Sequence, residues 1–288
     1  MHVLITGSTG LIGNQLVRAL ISRGDQVSAL SRAPLNQQSE LLRNELVDFE
    51  DEIDIDDITG QVDAIVHLAQ SQKFRDFPAE APDIFSTNVR STVALLDWAR
   101  RSGVKHFIYA STGGVYADSA RYLEASTPLK TPGELDFYFS TKLASEAFVQ
   151  CYSGEFSVAV MRFFFVYGPK QNRSMLLPRI FDRVKNDEDV FLAGDDGFRF
   201  NPIHVSDAVL AIQASLNDPR SLVTNVAGPE VLSLREVSEI FGSYLGKTPR
   251  FVMTGKLAAD VVGDTSYMFE NLFKSTKTLG EMVADLGV

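Results

Sequence analysis

Residues 4–13 read Leu-Ile-Thr-Gly-Ser-Thr-Gly-Leu-Ile-Gly, so three glycines follow an apolar run close to the first residue of the chain. The apolar run predicts a buried strand, and the helical spacing of apolar residues over Leu11–Ile21 predicts a helix directly after the glycines. Gly7 allows a tight turn, Gly10 lets the backbone approach a phosphate, and Gly13 lets the helix pack on the strand. Because the free N–H groups at a helix N-terminus bind anions, this segment predicts a site for the pyrophosphate of a dinucleotide. The alternative is an ordinary turn, since turns also collect glycine, serine and threonine.

The composition narrows the class of protein. The chain has 288 residues, 45% of them apolar, and a formal net charge of −10, which argues against general nucleic-acid binding. No apolar run approaches the ~20 residues that span a bilayer, and no basic, apolar leader precedes the first strand, so we expect a cytoplasmic protein without a membrane segment. The single cysteine, Cys151, fits a reducing compartment, and we expect it to be buried or half-buried. The four histidines show no paired spacing, so no metal site is predicted.

Predicted strands and helices alternate after the glycine turn, which indicates an open parallel sheet with helices on both faces. The predicted strands are 26–30, 45–47, 64–68, 105–110, 157–165, 190–192 and 222–226. The predicted helices are 83–101, 138–152, 177–185, 207–216 and one from Ser233 to Leu245 in which Glu236 completes a capping box. The last forty residues carry weak signals.

The end of the second predicted strand bears on the choice of cofactor. Sites for NAD place an acid about 20 residues after the glycines to hold the ribose hydroxyls, but this chain has Ser31 and Arg32 there. A hydroxyl and a guanidinium accept the additional phosphate of NADP, so the sequence favours NADP over NAD. The alternative is an arginine in a surface loop. Asp48 and Phe49, just past the third strand, are predicted to contact the adenine.

A tyrosine and a lysine stand four residues apart in a predicted helix, at Tyr138 and Lys142, and so share one face. A phenol can exchange a proton with a carbinol oxygen. We expect the ammonium, together with the positive nicotinamide of an oxidised cofactor, to lower the pKa of the phenol from the ordinary value of about 10. Ser111 and Thr112 end a predicted strand at the sheet edge where such folds bind ligands, and a hydroxyl there is expected to hold the substrate oxygen. The alternative is a surface pair with no role in catalysis.

These segments together resemble the extended short-chain dehydrogenases/reductases, in the NAD(P)-dependent epimerase/dehydratase group that acts mainly on nucleotide sugars. The matching segments run in family order over roughly residues 1–245: 6–13, 67–69, Asn88, 109–116, Tyr138 with Lys142, Arg162 with 166–169, and 203–207.

The resemblance implies a Rossmann-type, doubly wound α/β fold with a small interleaved C-terminal substrate domain. It implies a dinucleotide-binding domain over 1–166, to which 200–228 return, and a substrate domain over 167–199 and 229–288. It also implies a homodimer formed through the helices near 83–101 and 138–152.

The resemblance assigns roles residue by residue. Tyr138 is the implied general acid/base, Lys142 orients the nicotinamide ribose, and Thr112 binds the reacting oxygen, a role that Ser111 can share. The further implied cofactor contacts are Gly7, Thr9, Gly10, Leu11, Ile12, Gly13, Leu68, Ala69, Asn88 and Phe165.

The chain departs from the family pattern at two places near the reacting atoms. Gly113 and Gly114 stand where the dehydratases carry an Asp-Glu pair, so 4,6-dehydration is not expected. Phe165 stands where many members have asparagine, which implies a more apolar substrate pocket. Arg199 lies one residue further than usual from the 203–205 motif; it and Arg173 are candidates to bind the substrate diphosphate.

Several activities remain open. The Ser31-Arg32 pair tips the interpretation towards a 4-keto-sugar reductase that uses NADPH, and the first alternative is a nucleotide-sugar 4-epimerase that holds NAD. A reductase of small or polycyclic carbonyl compounds is a further alternative. A redox-sensing NADP-binding protein without chemistry is the alternative from another class, and Tyr138, Lys142 and Thr112 argue against it.

Overall fold

The computed structural model describes residues 1–50, 60–117, 122–131, 133–256 and 259–287. The chain forms two compact units that interleave in sequence. The first unit contains 1–115, 130–162 and 212–224, and the second contains 116–129, 163–211 and 225–288. Both units combine segments that are distant in the chain, so neither is complete until much of the chain has been synthesised.

A seven-stranded parallel sheet is found within the described residues, in the order β11-β6-β5-β4-β1-β2-β3 with flanking helices. Its strands are β1 His2–Thr6, β2 Gln26–Ser31, β3 Leu42–Leu46, β4 Ala64–His67, β5 His106–Thr112, β6 Ser157–Phe163 and β11 Leu222–Val226. In the register, Thr6 at the end of β1 lies opposite Leu30 of β2 and His67 of β4. The carboxyl ends of these parallel strands therefore meet at one edge, where such sheets bind their ligands.

Helices follow the strands of the first unit as the apolar periodicity predicts. They are α1 Leu11–Arg23, α2 Ala81–Phe85, α3 Ser91–Arg101 and α4 Phe137–Cys151. The prediction of a single helix over 83–101 is wrong in detail, because a π-helical turn at Ser86–Arg90 separates α2 from α3. Such turns are frequent at functional sites, and this one contains Asn88.

The core of the first unit is apolar and closely packed around the sheet. Leu4, Ile65 and Phe107 from three strands and Leu95 from α3 are fully buried and belong to one cluster. Burying a side chain of this size stabilises the fold by about 1.5–3 kcal/mol, so the cluster holds the strand ends in place.

The second unit is built from short strand pairs and helices. Its strands are β7 Val166–Tyr167, β8 Asp189–Leu192, β9 Arg199–Phe200, β10 Ile203–His204, β12 Leu232–Ser233 and β13 Arg250–Met253. They pair as β7 with β10, β9 with β12 and β8 with β13. The helices are α5 Leu176–Lys185, α7 Leu234–Leu245, α8 Ser266–Asn271 and α9 Leu279–Met282, while α6 Val205–Asn217 runs from this unit into the first.

The predicted capping box of α7 is confirmed, since Ser233 and Glu236 bond each other's backbone N–H groups. Phe181, Val237 and Phe241 form the centre of the second unit's core.

The units differ in their bounds from the predicted domains. Residues 200–211 group with the second unit rather than the first, because β10 pairs with β7. Residues 116–129 also join the second unit, where Leu123 packs with Phe164. Among the helices that the structure describes, none has the length and apolar character required to cross a membrane.

Candidate active site

The glycine turn forms a close-packed cradle at the start of α1. Gly7 has φ +67°, and a Cβ on Gly13 would lie 2.3 Å from the Gly7 carbonyl oxygen, so larger residues do not fit. Gly10 is the N-cap of α1 and provides no side-chain cap. The first N–H groups of this helix therefore lack a side-chain acceptor, and Thr9 and Gly10 are exposed beside them. The geometry fits the pyrophosphate of a dinucleotide.

A buried hydrogen-bond chain fixes the strand ends around this cradle. The Thr6 hydroxyl lies 2.7 Å from His67 Nδ1 and accepts the backbone N–H groups of Leu68 and Ala69, each at 3.1 Å. His67 Nε2 lies 2.9 Å from the Thr92 hydroxyl. Burial, aided by the charge of Lys142, lowers the pKa of His67 to about 3, so the ring is neutral. These hydrogen bonds hold the Leu68-Ala69 backbone against Gly7. A Cβ added to Gly7 would lie 2.8 Å from the Ala69 nitrogen.

Tyr138 lies at the start of α4 and reaches the loop after β4. Its hydroxyl donates a 2.9 Å hydrogen bond to Gln70 Oε1, and Gln70 follows Ala69 directly. The phenol is therefore connected to the loop that packs on the glycine cradle. Burial, and then the negative charge of Asp136, raises the pKa of Tyr138. The lowered pKa expected for Tyr138 beside an oxidised nicotinamide stays a prediction.

The Lys142 ammonium is buried within the same unit, with 2% exposure. It donates a 2.9 Å hydrogen bond to the Ala110 carbonyl and lies 5.1 Å from the centre of the Tyr109 ring. Burial lowers the pKa of Lys142 to about 8, and the nearby Glu146 carboxylate opposes this effect. The lysine is thus held beneath the end of β5.

The two predicted hydroxyl residues of β5 differ in their surroundings. Ser111 donates to the buried carboxylate of Glu146, which also pairs with Arg162 at 2.6 Å. Its hydroxyl is engaged inside the protein, which argues against a shared role on the substrate. Thr112 is half-buried, and its hydroxyl oxygen accepts the Gly114 N–H at 3.2 Å while its own proton remains available for a substrate oxygen.

Asn88 links two segments of the site through both polar atoms of its side chain. Its carbonyl oxygen accepts the Ser71 N–H at 2.9 Å, and its amide donates to the Thr141 hydroxyl at 2.9 Å. The residue is 1% exposed. Its side chain therefore positions the β4 loop and α4 instead of presenting a free group to a cofactor.

Aromatic side chains surround the phenol. The Phe74 ring centre lies 5.0 Å from that of Tyr138, and the Phe139 ring centre lies 5.3 Å from it. A Cβ on Gly114 would lie 2.2 Å from Phe139 Cε1, so the phenylalanine ring occupies the space of a side chain at position 114. Neither Phe139 nor Phe74 was predicted as a site residue, because neither belongs to a recognisable motif.

The predicted adenosine contacts lie at the ends of β2 and β3. The Ser31 hydroxyl donates to the Ala33 carbonyl at 2.6 Å, and Arg32 Nη1 lies 3.7 Å from Glu50 Oε1. Asp48 is half-buried and accepts the Glu50 N–H. Phe49 is 5% exposed and packs edge-on near His67, so it belongs to the core and the predicted adenine contact is not seen as an exposed ring.

The remaining predicted residues lie in the second unit. Phe165 has φ +43°, and its ring centre lies 4.6 Å from that of Phe200, with the two rings tilted by 54°. Arg173 is ion-paired with Asp182 and donates to the Leu286 carbonyl, so its predicted role on a diphosphate competes with a structural one. Arg199 is half exposed, with Glu236 at 3.8 Å, and lines a cavity of about 370 Å³ together with Asp195, Asp196 and Asp260.

The structure differs from the predictions at two further residues, Cys151 and Glu146. Cys151 is exposed and not buried, because it lies on the last turn of α4. Glu146 was missed, although its position four residues after Lys142 places it on the same helical face and is a usable signal. In the part of the chain that the structure describes, no cluster of His, Cys, Asp and Glu could hold a metal ion.

The glycine cradle and the seven-stranded parallel sheet give this chain the Rossmann-type fold of the extended short-chain dehydrogenases/reductases. The family model "NAD dependent epimerase/dehydratase family" matches residues 3–227, and the chain belongs to this family.

Known relatives span most of the chain. An uncharacterized UDP-glucose epimerase, YtcB of Bacillus subtilis (strain 168), is 25% identical over 297 residues, covering 97% of this chain and 92% of the relative. A dTDP-4-dehydro-6-deoxy-D-allose reductase of a Streptomyces species is 27% identical over 275 residues, covering 86% and 82%. The solved structure of MoeE5 in complex with UDP-glucuronic acid and NAD has a TM-score of 0.86 and 28% identity, covering 99% of this chain and 97% of that one. Epimerases and reductases are thus both similar to this protein.

Proposed function

We propose that this protein is an NAD-dependent nucleotide-sugar 4-epimerase. The observation that carries the proposal is the link from the Tyr138 phenol through Gln70 to the Leu68-Ala69 backbone that packs on Gly7. This link supports the proposal, because it connects a phenol, which is able to transfer a proton, to the backbone that packs on the glycine cradle.

The chemistry needs one group from outside the chain. NAD, when bound, accepts a hydride from the sugar carbon and returns it. The first residues of α1 bind its pyrophosphate, and Lys142 is positioned beneath β5 to bond its ribose. Tyr138 takes the carbinol proton when the carbon is oxidised and gives it back when the ketone is reduced, while the Thr112 hydroxyl holds the same oxygen. A positive charge beside the phenol favours the tyrosinate and opposes the effect of burial, which raises the Tyr138 pKa.

The pairing of Gly114 with Phe139 supports an activity without elimination of water. A dehydratase needs an acid and a base beside the catalytic hydroxyl, and glycines supply neither. The Phe139 ring also fills the space that a side chain at position 114 would need. The site therefore favours reactions that change only the oxidation state or configuration of one carbon.

The choice between epimerase and reductase depends on which cofactor the protein binds. The preference for a reductase rested on NADP, and that preference is not supported by the structural neighbours, which were solved with NAD. Arg32 is also close to a carboxylate, Glu50, which reduces its attraction for a phosphate. A 4-keto-sugar reductase is the second candidate, and its support is the similarity to the Streptomyces reductase.

One experiment separates these reactions. The purified protein is incubated with NAD and UDP-glucose, UDP-glucuronic acid or dTDP-glucose, and separately with NADH and a dTDP-4-dehydro-6-deoxy sugar. Products are resolved by chromatography and NMR. An epimerase converts the sugar to its 4-epimer with no net change in NADH absorbance, whereas a reductase consumes one NADH for each 4-keto-sugar reduced. Absence of both reactions over a broad panel, with NAD bound, contradicts the proposal.

The protein is also proposed to form a homodimer through α2, α3 and α4. Phe85, Val93 and Phe148 are large apolar residues on these helices, with 51%, 40% and 41% exposure. Covering such residues favours association. Light scattering after size-exclusion chromatography measures the molar mass. We expect twice the monomer mass for the wild type and the monomer mass for Phe85→Glu.

A further inference from the structure

Arg32 and Glu50 follow two paired strands at the carboxyl edge of the sheet. Ser31, the last residue of β2, lies opposite Leu46, the last residue of β3, and its carbonyl accepts the Val47 N–H at 3.0 Å. Arg90 donates to the Glu50 carbonyl at 2.5 Å and fixes the backbone there. The two charged residues are thus held at the edge where a parallel sheet receives the adenosine half of a dinucleotide.

The Glu50 carboxylate lies between two cations. Its Oε1 atom is 3.7 Å from Arg32 Nη1 and 3.7 Å from Lys73 Nζ. An arginine and a lysine around one anionic oxygen are the groups that proteins use to bind a phosphate. Here the protein's own carboxylate takes that place.

Further carboxylates surround these cations. Lys73 Nζ is 3.0 Å from Glu80 and 3.8 Å from Asp83, and the Ser71 hydroxyl donates to Asp83. Asp83 also raises the pKa of Glu50 through a shared hydrogen bond, as expected where two carboxylates approach each other. In this part of the described chain, the carboxyl groups of Glu50, Glu80 and Asp83 engage Arg32 and Lys73, so an added phosphate dianion would have to compete with them for these cations.

We propose that Glu50 is the residue that excludes the 2′-phosphate of NADP and makes this site select NAD, in the absence of an acid at the end of β2. The inference rests on the proposed function, since it requires that the glycine cradle binds a dinucleotide. Arg32 then serves as a partner of Glu50 and not as a phosphate ligand.

Fluorescence titration of NADH and NADPH against purified, cofactor-free protein tests the assignment without any measurement of turnover. The wild type is expected to bind NADH at least about tenfold more tightly than NADPH. Glu50→Gln is expected to tighten NADPH binding about tenfold and to change NADH binding by no more than about twofold. Adding Arg32→Ala to Glu50→Gln is expected to remove the gain, because the freed guanidinium supplies it.

Glu45→Gln is the matched control, since Glu45 also pairs with an arginine of the same region, Arg43, and its affinities are expected to stay unchanged. Glu50→Ala is titrated as well, so that the result does not depend on the folding of one variant. If NADH binds but both Glu50 variants keep the wild-type ratio of affinities, or if the wild type prefers NADPH, the inference is overturned and the proposed dinucleotide site stands. If neither dinucleotide binds the wild type, the proposed function fails and the inference fails with it.

Discussion

The Tyr138 hydroxyl donates to Gln70 Oε1 at 2.9 Å, so the phenol of α4 is bonded to the residue that follows Ala69. Ala69 in turn packs on Gly7, and its N–H is held by the Thr6 hydroxyl. This short path connects the proposed proton donor to the cofactor cradle through backbone contacts within one unit. The substitutions below test each part of that path.

Replacing Tyr138 by phenylalanine removes the proposed proton donor and keeps the ring packing against Phe74. We expect kcat to fall about 10²–10⁴-fold, with the Kd for NADH changed by no more than about twofold. Steady-state assays and NADH titration give both values. Tyr122→Phe, at an exposed tyrosine, is the control with wild-type kcat, and wild-type turnover of the Tyr138 variant would refute the acid/base role.

Gly13→Ala tests the cradle. The added Cβ would lie 2.3 Å from the Gly7 oxygen, so we expect a loss of about 1–3 kcal/mol of unfolding free energy and strongly weakened NADH binding. Urea denaturation and NADH titration measure these effects. Gly280→Ala, where the added Cβ meets open space, is expected to leave both unchanged or to stabilise the protein by up to about 1 kcal/mol. Tight NADH binding by Gly13→Ala would argue against a pyrophosphate site here.

His67 gives the free energy of unfolding a defined pH dependence. The unfolded ring has a pKa of about 6.5 and the buried ring one of about 3. As the pH falls, the unfolded state takes up a proton on His67 before the folded state does. The free energy of unfolding therefore has its full value above pH 6.5 and decreases as the pH falls from 6.5 towards 3. Between pH 7 and pH 5 the loss from this residue is about 2 kcal/mol. Urea titrations of wild type and His67→Gln over this interval should show a shallower slope for the variant, and equal slopes would contradict the assignment.

The buried ion pair of Glu146 and Arg162 is expected to be costly to break. Both side chains are nearly inaccessible, at 1% and 3% exposure, so Glu146→Ala leaves an uncompensated buried charge and is expected to cost about 3–5 kcal/mol. Asp97→Ala removes exposed pairs with Arg100 and Arg101 and is expected to cost far less, because solvent screens both pairs. Chemical denaturation measures both, and similar costs for the two variants would show that burial of the pair is not energetically important.

Substitutions of Gly114 and Phe139 are expected to have non-additive effects on the free energy of unfolding. Gly114→Ala forces the Phe139 ring to move and should lower both the melting temperature and kcat, with a stability cost of about 1–3 kcal/mol. Phe139→Ala opens that space, so the double variant should be more stable than the sum of the single effects by about 0.5–3 kcal/mol. Thermal melts of all four proteins complete the cycle. Additive effects would mean that the ring does not fill the position-114 space in solution.

Much of the fold was predictable because its signals are local. The strand over Leu222–Val226 was predicted with its observed bounds, and α4 was predicted within one residue at either end. The strand predicted to continue to residue 165 instead ends at Phe163, since Phe165 adopts a positive φ. The short strands of the second unit were mostly missed, because two-residue pairs such as β9 with β12 have no periodicity to detect.

The sequence by itself determined the order of strands and helices in the first unit, the glycine cradle and the candidacy of Tyr138 with Lys142. Each of these depends on residues that are adjacent in the chain or one helical turn apart. Only the tertiary structure decided which groups are free to act. The Ser111 hydroxyl donates its hydrogen bond to Glu146, Arg173 pairs with Asp182, and Arg32 has Glu50 as a partner. These contacts join residues from different elements, and their distances depend on how the strands and helices pack rather than on any local pattern of sequence.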